Sequence, residues 1–440
     1  MYLCAIIDEK MVRQKIKELE NWKLSPFRKP LVVLGPRQVG KSWLIREFGK
    51  RSFKHTVYIN FELHTDLQCL FVDDFHIQRI ISALQAYTQQ KITPDETLIV
   101  FDEIQYAPKG LSFLESISIS APAYYVIATH SVWGNSASLP VPKVDFLNLY
   151  PMSFYEFLLA VGQAGLAKIL EDRIWDVLPV YANRFKEYLR YYFYVGGMPQ
   201  AVAQFAENRD WERIREIQNS IINTYQSDFS KEAPNNEVSR IQMVWQTIPT
   251  QLKKENKKFM YGGIRHGARA KDFEGAIKWL VDSGFLMQTH KISKPTLPLT
   301  SYCDSSTFKL FFNDVGLLAA QFDLNAKTII GGYDIFTDYQ GALTEQYVIQ
   351  QLTKKRDHPL YFWTNDKSTT GVDIIMQHEG GIIPIEIKVE ENLKAKSFKF
   401  FYDKYNPKNA IRASLSNYRK EPWLTQIPLY IIGNYFPDHK

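Results

Sequence analysis

LVVLGPRQVGKSWLIREF, residues 31–48, decides the fold. LVVL reads as a short buried strand and WLIREF as the start of a helix. Between them GPRQVGKS, Gly35 to Ser42, fits the pattern G-x-x-x-x-G-K-[ST] in full. Glycines let such a loop close around phosphate, and successive backbone N–H groups and the helix N-terminus supply positive potential. The pattern needs a strand before it and a helix after it, and both are present. Gly35, Pro36, Arg37, Gln38, Val39, Gly40, Lys41, Ser42 and Trp43 are therefore expected to surround a nucleotide. Lys41 should reach the β- and γ-phosphates, and the Ser42 hydroxyl should bind Mg²⁺.

TLIVFDE, residues 97–103, supplies the second element. Asp102 at the strand end is expected to hold Mg²⁺ through water, and Glu103 to polarise the attacking water. An adjacent acidic pair suits an ATPase better than a GTPase, and no NKxD element specifies guanine. Thr129, at the tip of the next strand, is a candidate for orienting that water. The bland reading is a structural Gly-rich turn beside an acidic strand end, but two motifs in the right order and context argue against it.

The chain has 440 residues, so two to four domains are expected. Its hydrophobic content of 45% and charged content of 23% are those of a globular protein in water. Cys4, Cys69 and Cys303 are widely separated, which excludes a CxxC zinc site and fits a reducing cytoplasm. No apolar run approaches the roughly 18–20 residues of a membrane helix, so no membrane role is expected. The opening MYLCAIIDEKMVRQK lacks the ordered regions of a signal peptide. A net charge of +6 permits nucleic-acid binding without requiring it.

Along the chain, residues 8–25 read as a polar helix. TVYINFE (56–62), TLIVFDE and AYYVIAT (123–129) are further apolar strands, so βαβ units and a parallel sheet are expected. Residues 155–230 become helical, with a break at VGGMP (195–199). In KDFEGAIKWLVDSGFL, Phe273, Ala276, Ile277, Leu280 and Val281 recur at helical spacing. Two helices precede it, FLMQTHKI follows as a strand, and SKPTLPLT (293–300) is a Pro-rich loop at the wing of a winged helix. The last part reads as a helix (ALTEQYVIQQL), strands (LYFWT, VDIIMQ, GIIPIEIKV), a helix and a final strand (PLYIIG).

GVDIIMQHEGGIIPIEIKV, residues 371–389, poses an electrostatic problem. A hairpin folded about Glu379 and Gly380 pairs Gln377 with Ile382 and sets Asp373 opposite Glu386. Opposed side chains sit roughly 4.5–5.5 Å apart, where like charges destabilise a sheet. Either the turn lies elsewhere or something cationic belongs between them, and Lys388 shares the face of Glu386.

Walker A, FDEIQ, LYPMSFYEFL (149–158), GGMPQAV (196–202), FFNDVGLL (311–318) and the closing GALTEQYV…GVDII…PIEIK together resemble one family. This is the set of prokaryotic AAA+ ATPases with a winged helix and a C-terminal domain similar to PD-(D/E)XK nucleases. The resemblance covers essentially the whole chain. It implies an α/β multidomain protein: an AAA+ P-loop core over 1–160, a helical lid over 161–235, a winged helix over 236–325 and a restriction-endonuclease-like domain over 326–440. It also implies that Asp373 and Glu386, with the helical acid Glu345, bind Mg²⁺, and that Lys388 positions or activates the attacking water. The alternative is a surface cluster in which Lys388 neutralises the two acids. Two departures stand out: His130 and Gly371 replace, respectively, the usual glycine and a common acidic residue.

From Gln251 to Lys278, eight basic residues (Lys253, Lys254, Lys257, Lys258, Arg265, Arg269, Lys271 and Lys278) face three acidic ones. Such a helix-turn-helix is an electrostatic footprint for DNA phosphates, or else a solvated helical face. Arg190, before the GGMP break, is a candidate γ-phosphate contact. The expected cofactors are ATP and Mg²⁺ and the expected macromolecular partner is DNA, with a homo-oligomer or a protein partner also compatible. Two functions remain open: an ATPase coupled to DNA binding and phosphodiester cleavage, and a nucleotide-gated binding protein whose nuclease-like domain does not turn over.

Overall fold

The structure, a computed structural model, describes residues 12–72, 75–131, 143–331, 334–354, 359–365, 370–389 and 396–436. Cys4 and most of the opening segment lie outside these residues. The chain divides into two compact units. One holds Arg13–Tyr150 with the short piece Val281–Phe285, and the other holds Pro151–Leu280 and Leu286 onward.

The first unit is built on a parallel sheet. Its strands are β1 (Leu31–Leu34), β2 (His55–Asn60), β3 (Thr97–Asp102), β4 (Tyr125–His130) and β5 (Asp145–Asn148). Their order is β2-β3-β4-β1-β5, all parallel. β1 and β3 are buried on both faces, as the continuous apolar runs require. Helix α1 (Ile16–Leu24) and helix α2 (Lys41–Ser52) cover one face, where Leu19, Trp22, Leu44, Ile45 and Phe48 form a core with Leu31, Val33 and Val100. Helices α3 (Ile77–Thr88) and α4 (Gly110–Ser120) cover the other, where Ile80, Leu84 and Phe113 pack with Phe61, Phe71 and Phe101. α1 covers Ile16–Leu24 of the polar stretch read over 8–25, and residues 8–11 of that stretch lie outside the described residues.

The second unit opens with helices α5 (Phe154–Ala160), α6 (Ala164–Asp172), α7 (Ala182–Val195), α8 (Pro199–Asn208) and α9 (Trp211–Glu232). The VGGMP break falls between α7 and α8. α10 (Val238–Leu252) and α11 (Ala270–Asp282) follow, then an antiparallel pair, β6 (Leu286–Ile292) and β7 (Cys303–Phe312), around the Pro-rich loop. α11 buries Phe273, Ala276, Ile277 and Leu280, the stripe read from the sequence, while Val281 is half-buried. Phe259 N–H donates to Phe308 O at 2.8 Å and so ties the α10–α11 loop to β7.

Helices α12 (Val315–Gln321), α13 (Ala326–Gly331) and α14 (Asp334–Thr353) lead to β8 (Tyr361–Thr364), β9 (Gly371–His378) and β10 (Gly381–Ile387). Then come α15 (Lys396–Tyr405), β11 (Ile411–Ser414), β12 (Arg419–Lys420), β13 (Thr425–Pro428) and α16 (Ile432–Tyr435). Three features differ from the sequence reading. The two helices expected before α11 are one, α10, with Pro249 inside it. PLYIIG is not a strand: Leu429–Ile431 form a buried 3-10 turn leading into α16. The boundary at 325/326 does not separate two sheets, because β6 pairs in parallel with β8, and one eight-stranded sheet runs β12-β13-β11-β10-β9-β8-β6-β7.

Candidate nucleotide site and the C-terminal carboxylates

The phosphate loop joins β1 to α2. Gly35 has no room for a side chain, since a Cβ there would lie 2.4 Å from Leu149 O. Gly40 turns into the helix with φ 96°, a left-handed conformation that costs glycine little. Arg13, which no motif flags, ties the loop down. Its Nη1 donates to Val39 O at 2.8 Å and its Nη2 to Tyr150 O at 2.6 Å. Arg37 reaches outward, donating to Glu62 at 3.1 Å and to Tyr106 Oη at 2.6 Å. Trp43 packs against the α1–α2 core.

Lys41, Ser42, Asp102, Glu103 and Thr129 converge at the C-terminal ends of β1, β3 and β4, the edge where open α/β sheets bind ligands. Lys41 Nζ donates to Gly35 O (2.8 Å), Pro36 O (3.2 Å) and Ser131 Oγ (2.9 Å), and lies 3.9 Å from Glu103. Asp102 accepts from Ser42 Oγ at 3.0 Å, Thr129 Oγ1 at 2.6 Å and Asn60 Nδ2 at 2.9 Å, and also from Tyr58 Oη. Burial and the Asp102 charge push the Tyr58 phenol far above its ordinary range, so it stays a donor. Thr129 Oγ1 also accepts from Glu103 N at 2.8 Å, clipping β4 to the turn after β3.

Glu103 is nearly buried and accepts from Ser131 Oγ at 2.6 Å and Gln105 Nε2 at 2.5 Å. Burial pushes its carboxyl up, but Lys41, Ser131 and Gln105 together hold it below the usual range. Ser131, Tyr58 and Asn60 were not singled out by the sequence. Asn60 and Ser131 lie at or just past strand ends, which could have pointed to them, whereas Tyr58 lies inside β2 and carries no such signal. Arg190 lies on α7 in the second unit, where its Nε donates to Lys186 O at 3.4 Å.

The C-terminal hairpin has the register the sequence implies. Glu379 (φ 47°) and Gly380 (φ 70°) make a two-residue turn, and Ile382 pairs with Gln377 and Ile385 with Ile374. The pairing ends at Ile385 and Ile374, one residue short of Glu386 and Asp373. Cations do lie against these acids, and they are side chains. Glu386 Oε2 accepts from Arg412 Nε at 2.9 Å, while Lys388 Nζ lies 3.4 Å from Oε1. Asp373 Oδ2 accepts from Ile387 N at 2.8 Å. Glu345, on α14, takes Lys257 on Oε2 and Lys309 on Oε1, both at 2.7 Å. Burial raises the Glu345 carboxyl, but the two lysines overcome it and hold the group well below the ordinary range. Burial and the Glu345 charge push Asp373 up. Among the described residues, no three of the types His, Cys, Asp and Glu form a group that could hold a metal ion.

The other quoted motifs meet elsewhere in the second unit. Buried Asp314 of FFNDVGLL caps α12 by accepting from Gly316 N (2.9 Å) and Leu317 N (3.2 Å). Its second oxygen accepts from Gly197 N (2.6 Å) and Gln350 Nε2 (3.0 Å). A Cβ on Gly197 would strike Met152 O at 2.1 Å. PMSF, GGMP, NDVG and the glutamines of α14 therefore lock together as a structural joint.

The basic stretch divides. Lys253 Nζ donates to Tyr339 Oη at 3.2 Å, Lys257 to Glu345, and Lys258 Nζ to Thr364 Oγ1 at 3.2 Å. Arg265, Arg269, Lys271 and Lys278 are exposed.

Three family models match parts of the chain. Residues 27–158 match an AAA domain, 186–328 a domain of unknown function (DUF8612) and 340–432 another domain of unknown function (DUF4143). No curated protein matches. Among solved structures, the Walker-type ATPase PABY2304 of Pyrococcus abyssi is 14% identical, with 71% of this chain and 96% of that one covered and a TM-score of 0.46. The Aeropyrum pernix Orc1 protein in complex with DNA is 14% identical over 73% and 95%, with a TM-score of 0.31. The Thermotoga maritima RuvB Holliday junction branch migration motor is 14% identical over 64% and 93%, with a TM-score of 0.32. Among the described residues no helix is long and apolar enough to cross a membrane. With its parallel sheet and phosphate loop, the first unit has a P-loop NTPase fold, and residues 27–158 of the chain match the AAA domain.

Proposed function

We propose that this protein is a Mg²⁺-dependent ATPase of the AAA+ type whose turnover is coupled to DNA binding. One observation carries the reading: Lys41, Ser42, Asp102 and Glu103 meet at the end of one parallel sheet, with Lys41 beside Glu103. Lys41 would exchange its contacts with Ser131 and the loop carbonyls for the β- and γ-phosphates. Ser42 and Asp102, hard oxygen donors already 3.0 Å apart, fit Mg²⁺, which when bound neutralises phosphate charge. Glu103, held ionised, would accept the proton of the attacking water, with Thr129 keeping its backbone in place. The test is ATP binding and phosphate release for wild type, Lys41→Ala and Glu103→Gln. Lys41→Ala should lose turnover and weaken binding, whereas wild-type turnover in both variants would overturn the assignment.

The coupling partner rests on α10, α11 and the β6–β7 hairpin, an arrangement that supports a winged helix, and on exposed Arg265, Arg269 and Lys271 beside it. A helix, three antiparallel strands, a helix and a parallel strand from α14 to β11 support the restriction-endonuclease-like reading of the C-terminal part. Its proposed site residues are Glu345, Asp373, Glu386 and Lys388. A second reading, a nucleotide-gated binding ATPase whose nuclease-like part does not cleave, is favoured by the lysine on each Glu345 oxygen. Free, exposed Cys69 and Cys303 suit a reducing cytoplasm. Metal-dependent nicking of plasmid DNA separates the two readings: cutting that Lys388→Ala abolishes supports the first, and a gel shift without cutting supports the second.

A further inference from the structure

We infer that Lys257 and Lys309 are the resident cations of the C-terminal carboxylate set, filling the place that a divalent ion takes in nuclease-like sites, with the loop around Lys257 as its internal ligand. The inference deepens the second reading above, but it is tested by metal binding rather than by cleavage.

The geometry does not fit a metal as it stands. Five of the six carboxylate oxygens are taken up: Glu345 Oε1 and Oε2 by the two lysines, Glu386 Oε2 by Arg412 and Oε1 by Lys388, and Asp373 Oδ2 by the Ile387 N–H. A divalent ion needs those lone pairs, and an ammonium at 2.7 Å occupies the space it would fill. Glu345 is 3% exposed, Lys309 8% and Lys257 17%, so this is not a loose surface pair. Burying such charges is costly, and only close pairing offsets that cost. Lys309 enters from β7 and also lies 4.9 Å from the Phe362 ring centroid. Lys257 enters from the α10–α11 loop at φ 48°, a left-handed conformation that L-residues adopt at a cost. A strained backbone held in place by one buried ion pair is a plug that the rest of the loop supports: Lys258 anchors on Thr364 and Lys253 on Tyr339.

The experiment uses the full chain without nucleotide and with Mn²⁺ as the probe. Thermal melting with and without Mn²⁺ is run beside Mn²⁺ electron paramagnetic resonance to count bound ions. Wild type should show no Mn²⁺-dependent rise in melting temperature. Lys257→Met should melt lower in chelator and regain stability with Mn²⁺, because an ion that binds only the folded state stabilises it. Asp373→Asn added to Lys257→Met should remove the regain. Lys257→Arg, which keeps the cation, should show no Mn²⁺ response. A Mn²⁺-induced rise in wild type that Asp373→Asn abolishes overturns the inference, as does a Lys257→Met variant with neither stability loss nor Mn²⁺ binding. Should Lys257→Met not fold, the wild-type and Asp373→Asn pair decides alone. Loss of ATP turnover in Lys41→Ala bears only on the first unit, so the two proposals fail separately.

Discussion

Glu103 sits at φ 54°, a left-handed backbone angle that costs a side-chain-bearing residue roughly 1–2 kcal/mol. The site carries that strain so that consecutive acids can serve different partners: Asp102 faces Ser42, and Glu103 faces Ser131 and Lys41. Glu103→Gln should retain ATP binding and slow turnover about 10²-fold, the scale of a lost general base. Phosphate release against nucleotide binding measures both. Ser131→Ala removes a donor that favours the ionised carboxylate. The acid limb of the pH–rate profile should therefore move to higher pH, since losing a hydrogen bond to the charged form raises a carboxyl pKa. An unmoved limb would assign that limb to another group.

At the scale of elements, the joint around Asp314 is the most consequential. Asp314→Ala would leave the buried N–H groups of Gly197, Gly316 and Leu317 without their acceptor. A loss of about 2–4 kcal/mol is expected, read as a lower midpoint in urea with an unchanged slope. The ion pairs of α14 give a pH signature. Glu345 is held well below the usual carboxylate range, chiefly by Lys257 and then Lys309 against the effect of burial. That stability is present above the unfolded carboxyl pKa and is lost as pH falls through the lower folded one. Neighbouring Asp373 is raised and acts in the opposite sense. Glu345→Gln should therefore flatten the acid limb of melting temperature against pH.

These elements also show what the residues alone disclose. β1, the phosphate loop and the hairpin register were legible because each is set by neighbours in sequence: apolar runs, a glycine turn, a two-residue loop. Lys257 on Glu345 was not, because the two are 88 residues apart, and charge counting saw only a basic stretch. Arg13 and Ser131 were invisible for the same reason, since each acts on backbone or carboxylate brought near only by the sheet. PLYIIG misled because a buried apolar run looks alike as strand or turn.

Across the whole molecule, the +5 balance of residues 251–278 is split between inward and outward duties. Neutralising Arg265, Arg269 and Lys271 should lower the slope of log K against log[salt] for duplex DNA, by roughly 0.9 for each phosphate that is no longer neutralised. Replacing Lys257 and Lys258 should instead lower melting temperature and leave that slope unchanged. Filter binding across a salt series distinguishes the two sets, and an unchanged slope in the first would move the DNA footprint elsewhere.

The pairing of β6 with β8 bears on how the chain comes off the ribosome. The five strands of the first sheet end by Asn148, so that sheet can close early in synthesis. The eight-stranded sheet cannot: β6 and β7 emerge first, and the Lys291 edge must wait for Phe362 before it is covered. During that interval a backbone edge faces solvent and can recruit a neighbouring nascent chain. A fragment stopped near residue 325 should therefore aggregate where the full chain does not, and a fragment begun at residue 326 should share that fate through the exposed side of β8. Any attempt to obtain the C-terminal part by itself must carry β6 and β7 with it.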